Sequence, residues 1–347
     1  MSTEPTVVDH SLVSAGRKAS GCEPETFIPI SGTLPLQGDP TTMARLTYVL
    51  ITPARNEEAF IEKTIESMVS QTVPPLKWVI VDDGSTDHTT QIVESYAKQY
   101  PWIALVQRPS RKDRNFAGKV HAFNEGLQHV QDLKFELLGN LDADISFGPD
   151  HFEFLISKIM ENPALGVVGT AYTQEGWDST KDSFEGETSV HGACQLFRYQ
   201  CFLDIGGYCA NRAGGVDWIA VTSARMKGWQ TRNYPQRRFH HYRSMGTAER
   251  GPLGAMFDYG KKDYFLGGSP VWELFRVAFR MTKKPFILGG IALMAGYFIA
   301  AMCGADRPVS RELMRFHRRE QMKKLRIILH SLLKFKVEPY LPAERLK

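Results

Sequence analysis

Apolar residues in this chain alternate between short unbroken runs and helically spaced stripes. Thr47 to Thr52 (TYVLIT) is a compact β-prone run, and the segment from Glu57 to Ser70 spaces Phe60, Ile61, Ile65, Met68 and Val69 as one face of a helix. The same alternation recurs three times. WVIV at 78–81 precedes a helical pattern from Asp87 to Gln99, IALVQ at 103–107 precedes Phe116 to Val130, and ELLGNL at 136–141 precedes His151 to Met160. Strands that read as continuous apolar runs are buried on both faces, so the order predicts an α/β fold with a doubly wound, mostly parallel sheet covered by helices. Residues 1–44 are rich in Ser, Thr, Pro and Gly with no sustained period and read as a flexible leader.

In open sheets of this kind ligands bind beyond the carboxyl ends of the strands. The first strand ends in Pro53-Ala54-Arg55-Asn56-Glu57, the second in Asp82-Asp83-Gly84-Ser85-Thr86-Asp87, and the fourth in Asp142-Ala143-Asp144. All three are expected at one edge. VDDGSTD is turn chemistry with Thr86 or Asp87 available to cap the next helix, and its acidic pair is equally able to accept hydrogen bonds from a base or ribose. Asp142-Ala143-Asp144 reads either as a solvated turn or as ligands for a hard cation such as Mg²⁺ or Mn²⁺ with substrate phosphates.

Composition changes this picture little. The 347 residues are 43% hydrophobic and 23% charged, which excludes wholesale disorder and a polytopic membrane protein. The net charge of +4 is too small to imply nucleic acid. Its distribution is more informative: Arg307 to Lys347 carries 12 basic and 4 acidic residues, so the end is +8 and the body −4. The five cysteines lack metal-site spacing and read as free thiols in a reducing compartment. No signal pattern opens the chain, so the bulk is expected in the cytoplasm.

Together PARNEE, VDDGSTD, the stretch Gly118-Lys119-Val120-His121-Ala122-Phe123-Asn124-Glu125-Gly126 and LDAD resemble the inverting family 2 glycosyltransferases of GT-A fold, over about Thr47 to Tyr234. The resemblance implies that Pro53, Arg55 and Glu57 line a nucleotide pocket and that Asp83 contacts the base, usually uracil. It further implies Lys119 near the diphosphate, Asp142 at ribose and metal, and Asp144 on the divalent cation, Mg²⁺ or Mn²⁺. For Gly118-Lys119 a helix-start turn with a solvated lysine is the alternative. The family's acidic base falls at Asp217 in Gly214-Gly215-Val216-Asp217-Trp218, where Val216 replaces a first acidic residue. Asp217 would also serve as an N-cap. His191 to Tyr199 (HGACQLFRY) matches the preceding loop, so Cys194, Gln195, Arg198 and Trp218 would border the acceptor, or the segment is simply a buried strand. Gln236 to His241 stands where processive synthases carry Q-x-x-R-W, and Phe239-His240 in place of R-W points to single-sugar addition. His240 or His241 would complete the metal site or remain polar surface.

Phe286 to Cys303 holds no charge, between basic flanks, and about 27 Å of helix falls just short of the ~30 Å hydrocarbon core. Basic residues on both sides oppose a single span, so a re-entrant or peripheral segment, a single pass and a buried helix all stay open. Val309 to Phe335 spaces Leu313, Phe316, Leu325, Ile328, Leu329 and Leu332 between cations, as an interfacial helix would. The expected organisation is leader 1–44, catalytic domain 45–250 and helical membrane-associating region 251–347. The expected activity is that of a hexosyltransferase-class enzyme taking a nucleotide-sugar donor, UDP-linked first, and a glycan or lipid-linked acceptor, in cell-surface polysaccharide or glycolipid synthesis. It would work at the cytoplasmic membrane face without nucleic acid. The alternatives are a nucleotidyltransferase, which should carry a glycine that Pro53 to Glu57 lacks, and a catalytically dead membrane scaffold.

Overall fold

The computed structural model describes residues 46–110, 116–174, 177–180, 186–211, 214–243 and 251–333. The leader expected at 1–44 lies outside the described residues. In chain order the elements are β1 (Tyr48–Ala54), α1 (Ile61–Val69), β2 (Lys77–Asp82), α2 (Thr89–Gln99), β3 (Ile103–Gln107), α3 (Phe116–Gln128), β4 (Leu137–Leu141), β5 (Ile145–Phe147) and α4 (His151–Glu161). There follow β6 (Leu165–Gln174), β7 (Trp177–Asp178), β8 (Cys194–Arg198), α5 (Tyr199–Asp204), α6 (Val216–Met226) and β9 (Gln230–His241). Four helices close the described chain: α7 (Gly251–Phe265), α8 (Pro270–Met281), α9 (Leu288–Met302) and α10 (Arg311–Leu333). Each of the four predicted strand–helix units is present.

The strands form one sheet in the order β3-β2-β1-β4-β8-β6-β9-β5, with β7 paired to β6. β1, β2, β3 and β4 pair in parallel, as read from sequence. The second half departs from that expectation. β8 enters antiparallel between β4 and β6, and β5 and β7 are antiparallel as well, so half of the pairings are antiparallel and the sheet is mixed. The reason is local: β8 follows β6 through a turn at 191–193, and among the described residues no helix lies between these two strands to carry a parallel crossover.

Strand alternation divides the core. Tyr48, Leu50, Trp78 and Ile80 pack under α1, α2 and α4 on one face. Val49, Ile51, Val79 and Val81 pack under α3, α5 and α6 on the other. Burial of both faces is what writes the strands as unbroken apolar runs.

The helical layer answers the membrane question in part. Among the described residues no helix is long and apolar enough to cross a membrane. α9 buries Gly290, Leu293 and Tyr297 against the protein. α10 is not a free interfacial helix either, because its stripe faces the protein. Leu313 packs with Ile219 and Leu266, Ile328 packs with Trp272, and Arg225 holds Glu320 at 2.7 Å. Leu329 alone of that stripe is strongly exposed among the described residues, at 48%, and the side chain of Leu332 lies outside them. Cys194, Cys201 and Cys303 are free thiols, whereas Cys209 is disulfide-bonded, which corrects the all-thiol reading.

Candidate active site

The loops after β1 and β2 are laced into one unit. Asn56 holds a positive φ of 55°, which lets its backbone N–H donate to Ser85 Oγ (3.0 Å) while its Oδ1 accepts from the Thr86 N–H (2.8 Å). Glu57 N–H donates to Thr89 Oγ1 at 2.8 Å. Asp82 closes its own turn, accepting from the Ser85 N–H and the Thr90 hydroxyl. Asp87 accepts from both the N–H and hydroxyl of Thr89, so it serves the first turn of α2 as a cap would. That leaves Asp83 as the acid of the pair facing other chemistry. It is 4% exposed, and Arg108 Nη1 lies 2.6 Å from its Oδ1 while Arg108 Nε reaches Glu125.

Two strands along, β4 delivers Asp142. Its N–H donates to Ala193 O, and its Oδ1 lies 2.5 Å from Lys119 Nζ. Burial works against the Lys119 ammonium, but the charges of Asp142, Asp217 and Asp144 outweigh it and hold its pKa above the usual lysine value. Asp144 precedes β5, whose pairing with β9 sets Ile145 opposite His241. His241 Nε2 stands 3.7 Å from Asp144 Oδ1, and His241 Nδ1 stands 2.6 Å from the Arg243 carbonyl oxygen. A carbonyl only accepts, so Nδ1 donates to it and Nε2 is the ring atom that faces Asp144.

Ligand atoms of Asp142, Asp144 and His241 thus lie within 4.8 Å of one another. Acceptors so gathered could hold a cation. Asp144 shows the deficit: burial first, then Asp142, raise its pKa, against the opposing pull of His241, Arg243 and Lys119. Two carboxylates and an imidazole fit Mn²⁺ or Mg²⁺ by number and chemistry. His240 does not join them, because neighbouring residues of a strand point to opposite faces. It lies 3.5 Å from Thr173 Oγ1 and edges onto Tyr242 instead.

Asp217 comes to this cluster by a different route. The N-cap of α6 is Gly215, at φ 72°, so Asp217 is the helix's second residue and the capping alternative fails. Its carboxylate lies against Gly192, where an added Cβ would sit 2.6 Å from Asp217 Oδ2. Gly192 and Ala193 are the same turn whose carbonyls accept from the Asn140 side chain and the Asp142 N–H. One turn therefore separates the metal-side acid from the candidate base. Asp217 and Asp142 also share the field that, with burial as the larger cause, pushes the Tyr208 hydroxyl well above its usual range.

The residues expected around the acceptor are placed otherwise. Arg198 ends β8 opposite Leu137, four residues or about 13 Å from the site end, and donates to the carbonyls of Leu165 and Ile159. Cys194 is buried with Sγ 3.6 Å from His151 Nε2, and burial pushes its thiol up to about 12. Gln195 is also buried and accepts from the Tyr208 hydroxyl, holding the floor beneath the cleft. Trp218 packs edge-on against His317 of α10. Three of the four lie on β8, an inner strand of the sheet, and Trp218 lies on the face of α6 that meets the helical layer. Pro53, within β1, and Arg55, just after it, are half-buried, and Glu57 is engaged by Arg243, Nη1 to Oε1 2.9 Å and Nη2 to Oε2 2.6 Å. Arg243 is the residue sequence reasoning missed. It lies 4.0 Å from Asp144 through Nε, and nothing marked it but its place two residues after His241.

The family model for glycosyl transferase family 2 matches residues 49–204. The poly-beta-1,6-N-acetyl-D-glucosamine synthase of Staphylococcus epidermidis is 24% identical over 165 residues, 48% of this chain and 35% of that protein. The beta-monoglucosyldiacylglycerol synthase of Synechocystis sp. is 35% identical over 136 residues, 38% of this chain and 27% of that protein. The chain thus spans about a third of the length of these curated relatives. In fold it is similar to the mannosyltransferase PcManGT of Pyrobaculum calidifontis, solved with GDP-Man and Mn²⁺, at TM-score 0.51 and 20% identity, covering 84% of this chain and 88% of that one. It is also similar to S. aureus TarS 1-349 solved with UDP-GlcNAc, at TM-score 0.50 and 14% identity, covering 85% and 89%.

Proposed function

We propose that this chain, whose residues 49–204 match the family model for glycosyl transferase family 2, is an inverting, metal-dependent enzyme that moves a single sugar from a nucleotide-diphosphate sugar to a glycan or lipid-linked acceptor at the cytoplasmic membrane face. The observation that carries this reading is the acceptor cluster of Asp142, Asp144 and His241, with Lys119 on one side and Asp217 across the Gly192 turn. Neighbours bound to GDP-Man with Mn²⁺ and to UDP-GlcNAc support the donor class.

Asp83 and Asp142 end strands separated by β1, about 10 Å apart at the ordinary strand spacing, a distance suited to the base and ribose ends of a nucleotide. Asp83 accepts from the base. Lys119 and Arg243 bring cationic donors to the diphosphate, Arg243 exchanging its hold on Glu57 for phosphate oxygens. Asp142, Asp144 and His241 would hold Mn²⁺ or Mg²⁺, which neutralises charge on a departing diphosphate. Asp217 takes the proton from the acceptor hydroxyl as that oxygen attacks the anomeric carbon, and the carbon–phosphate oxygen bond breaks toward Lys119. One base facing one leaving group gives inversion.

The test is a panel of UDP-, GDP- and dTDP-sugars, with and without Mn²⁺, read by thermal shift and by product formation. A cognate donor should stabilise the protein and turn over only with metal. Metal-independent nucleotide binding without turnover would instead make the fold a scaffold.

A further inference from the structure

The helical layer is apolar on the side that faces away from the protein. On α8 the exposed positions Val271, Leu274 and Ala278 are three and four residues apart, one face of the helix. On α9 Leu288, Ile291, Ile299 and Met302 follow the same spacing, and the intervening turn exposes Phe286 and Ile287. Exposure is high, at 56% for Val271, 60% for Ile287 and 79% for Met302. A surface helix of a soluble domain reverses this pattern, with its polar face outward. Contiguous exposed apolar surface on this scale marks a site of interaction.

The charges around it select the partner. Residues 270–303 contain Arg276, Arg280, Lys283 and Lys284 against one acid, Glu273, which is 1% exposed. Lys284 is exposed beside the apolar tip, and Lys283 lies over the Phe279 ring. Two copies docking through this face would bring cations against cations. Anionic lipid headgroups would meet them instead, with acyl chains covering Phe286, Ile287 and Ile291. We propose that the outer face of α8 and α9 docks on an anionic bilayer and lies in its interface. The geometry excludes crossing: α9 is 15 residues, about 22 Å, and its other face is locked to α7. An added Cβ at Gly260 or Gly296 would lie within 2.0 Å of a carbonyl oxygen of the partner helix.

The same helix pair reaches the catalytic loop. Lys262 of α7 and Leu266, the residue just after that helix, pack against Gly215, the N-cap of the helix that carries Asp217. A bilayer under α8 and α9 is thereby tied through α7 to the acceptor side of the cleft. This deepens the membrane reading above, and rests on it only for the source of the acceptor.

The experiment is co-sedimentation of the full chain with vesicles of phosphatidylcholine alone or with phosphatidylglycerol. The protein should follow the anionic vesicles. Lys283→Gln with Lys284→Gln should weaken binding about 25-fold, at about fivefold per cation. Phe286→Ser, Ile287→Ser and Ile291→Ser together should reduce binding to background, while the donor-induced thermal shift stays as in the parent. Parent protein left in the supernatant, or a triple variant that binds undiminished, overturns the proposal. So does a dimer in sedimentation velocity that the triple variant dissolves. A parent that binds vesicles but shows no donor shift counts against the transferase reading and leaves the docking surface standing.

Discussion

Replacing Asp144 by Asn should separate metal binding from stability. The ligand oxygens of Asp142 and Asp144 lie within 4.8 Å, a repulsion of about 3.5 kcal/mol at an effective dielectric of 20. Lys119 relieves Asp142 directly, whereas the Arg243 guanidinium is 4.0 Å from Asp144 and already held by Glu57. Part of the repulsion therefore remains, and burial acts in the same direction. Asn keeps the shape and removes the charge. At pH 7 and without metal, Asp144→Asn should be as stable as the parent or up to about 2 kcal/mol more stable, a rise of up to about 4 °C. The folded protein holds a proton on Asp144 above 3.8, where the unfolded chain has released it. The parent thus loses stability as pH rises from 3.8 through the raised value, and the variant's advantage grows across that window and is then constant. Mn²⁺ at a hundred times its dissociation constant should add about 2.7 kcal/mol to the parent and nothing to the variant. Thermal melts at pH 4 to 8, with EDTA or Mn²⁺, measure all of this. A metal-free variant less stable than the parent by more than about 1 kcal/mol, or one that Mn²⁺ stabilises equally, refutes the reasoning.

Asp217→Asn should lower turnover by about 10²- to 10⁴-fold while leaving the donor-induced thermal shift intact, since its role begins with the acceptor. Arg243→Ala leaves Glu57, 8% exposed, without its bidentate partner; urea melts should show a loss of about 1–3 kcal/mol, and the donor KM should rise. Gly296→Ala forces a methyl against Phe257 O, so α7 and α9 must part, and chemical denaturation should show about 1–3 kcal/mol lost. His317 has its pKa lowered to about 3, chiefly by burial and then by Lys324 and Arg225. Its contribution is present above the ordinary 6.5 and is lost as pH falls toward 3. Urea melts should therefore show a drop of about 2 kcal/mol or less between pH 6.5 and 5, and His317→Gln should flatten it.

Legible in the amino-acid pattern were the parallel strands β1 to β4 and the loops at their ends. Those features are local: each unbroken apolar run is a strand buried on both faces, and each strand end carries its own polar cluster. Asp83, Lys119, Asp142 and Asp144 were legible for that reason, and the family match at 49–204 covers all of them. The antiparallel pairings and the contacts between distant segments were set by packing. β8 and β5 run antiparallel because of where a turn returns the chain, which no hydrophobic period records. Choosing His241 over His240 required the register of β9 on β5, since a shift of one residue exchanges the two. Arg243 reaches Glu57 across 186 positions, and no spacing rule spans that distance. The basic helix 309–335 has a stripe suited to a bilayer or a protein surface alike; burial of Leu313 and Ile328 chose the protein and left the outward face to α8 and α9. Periodicity states that a face is apolar, and only packing states what covers it.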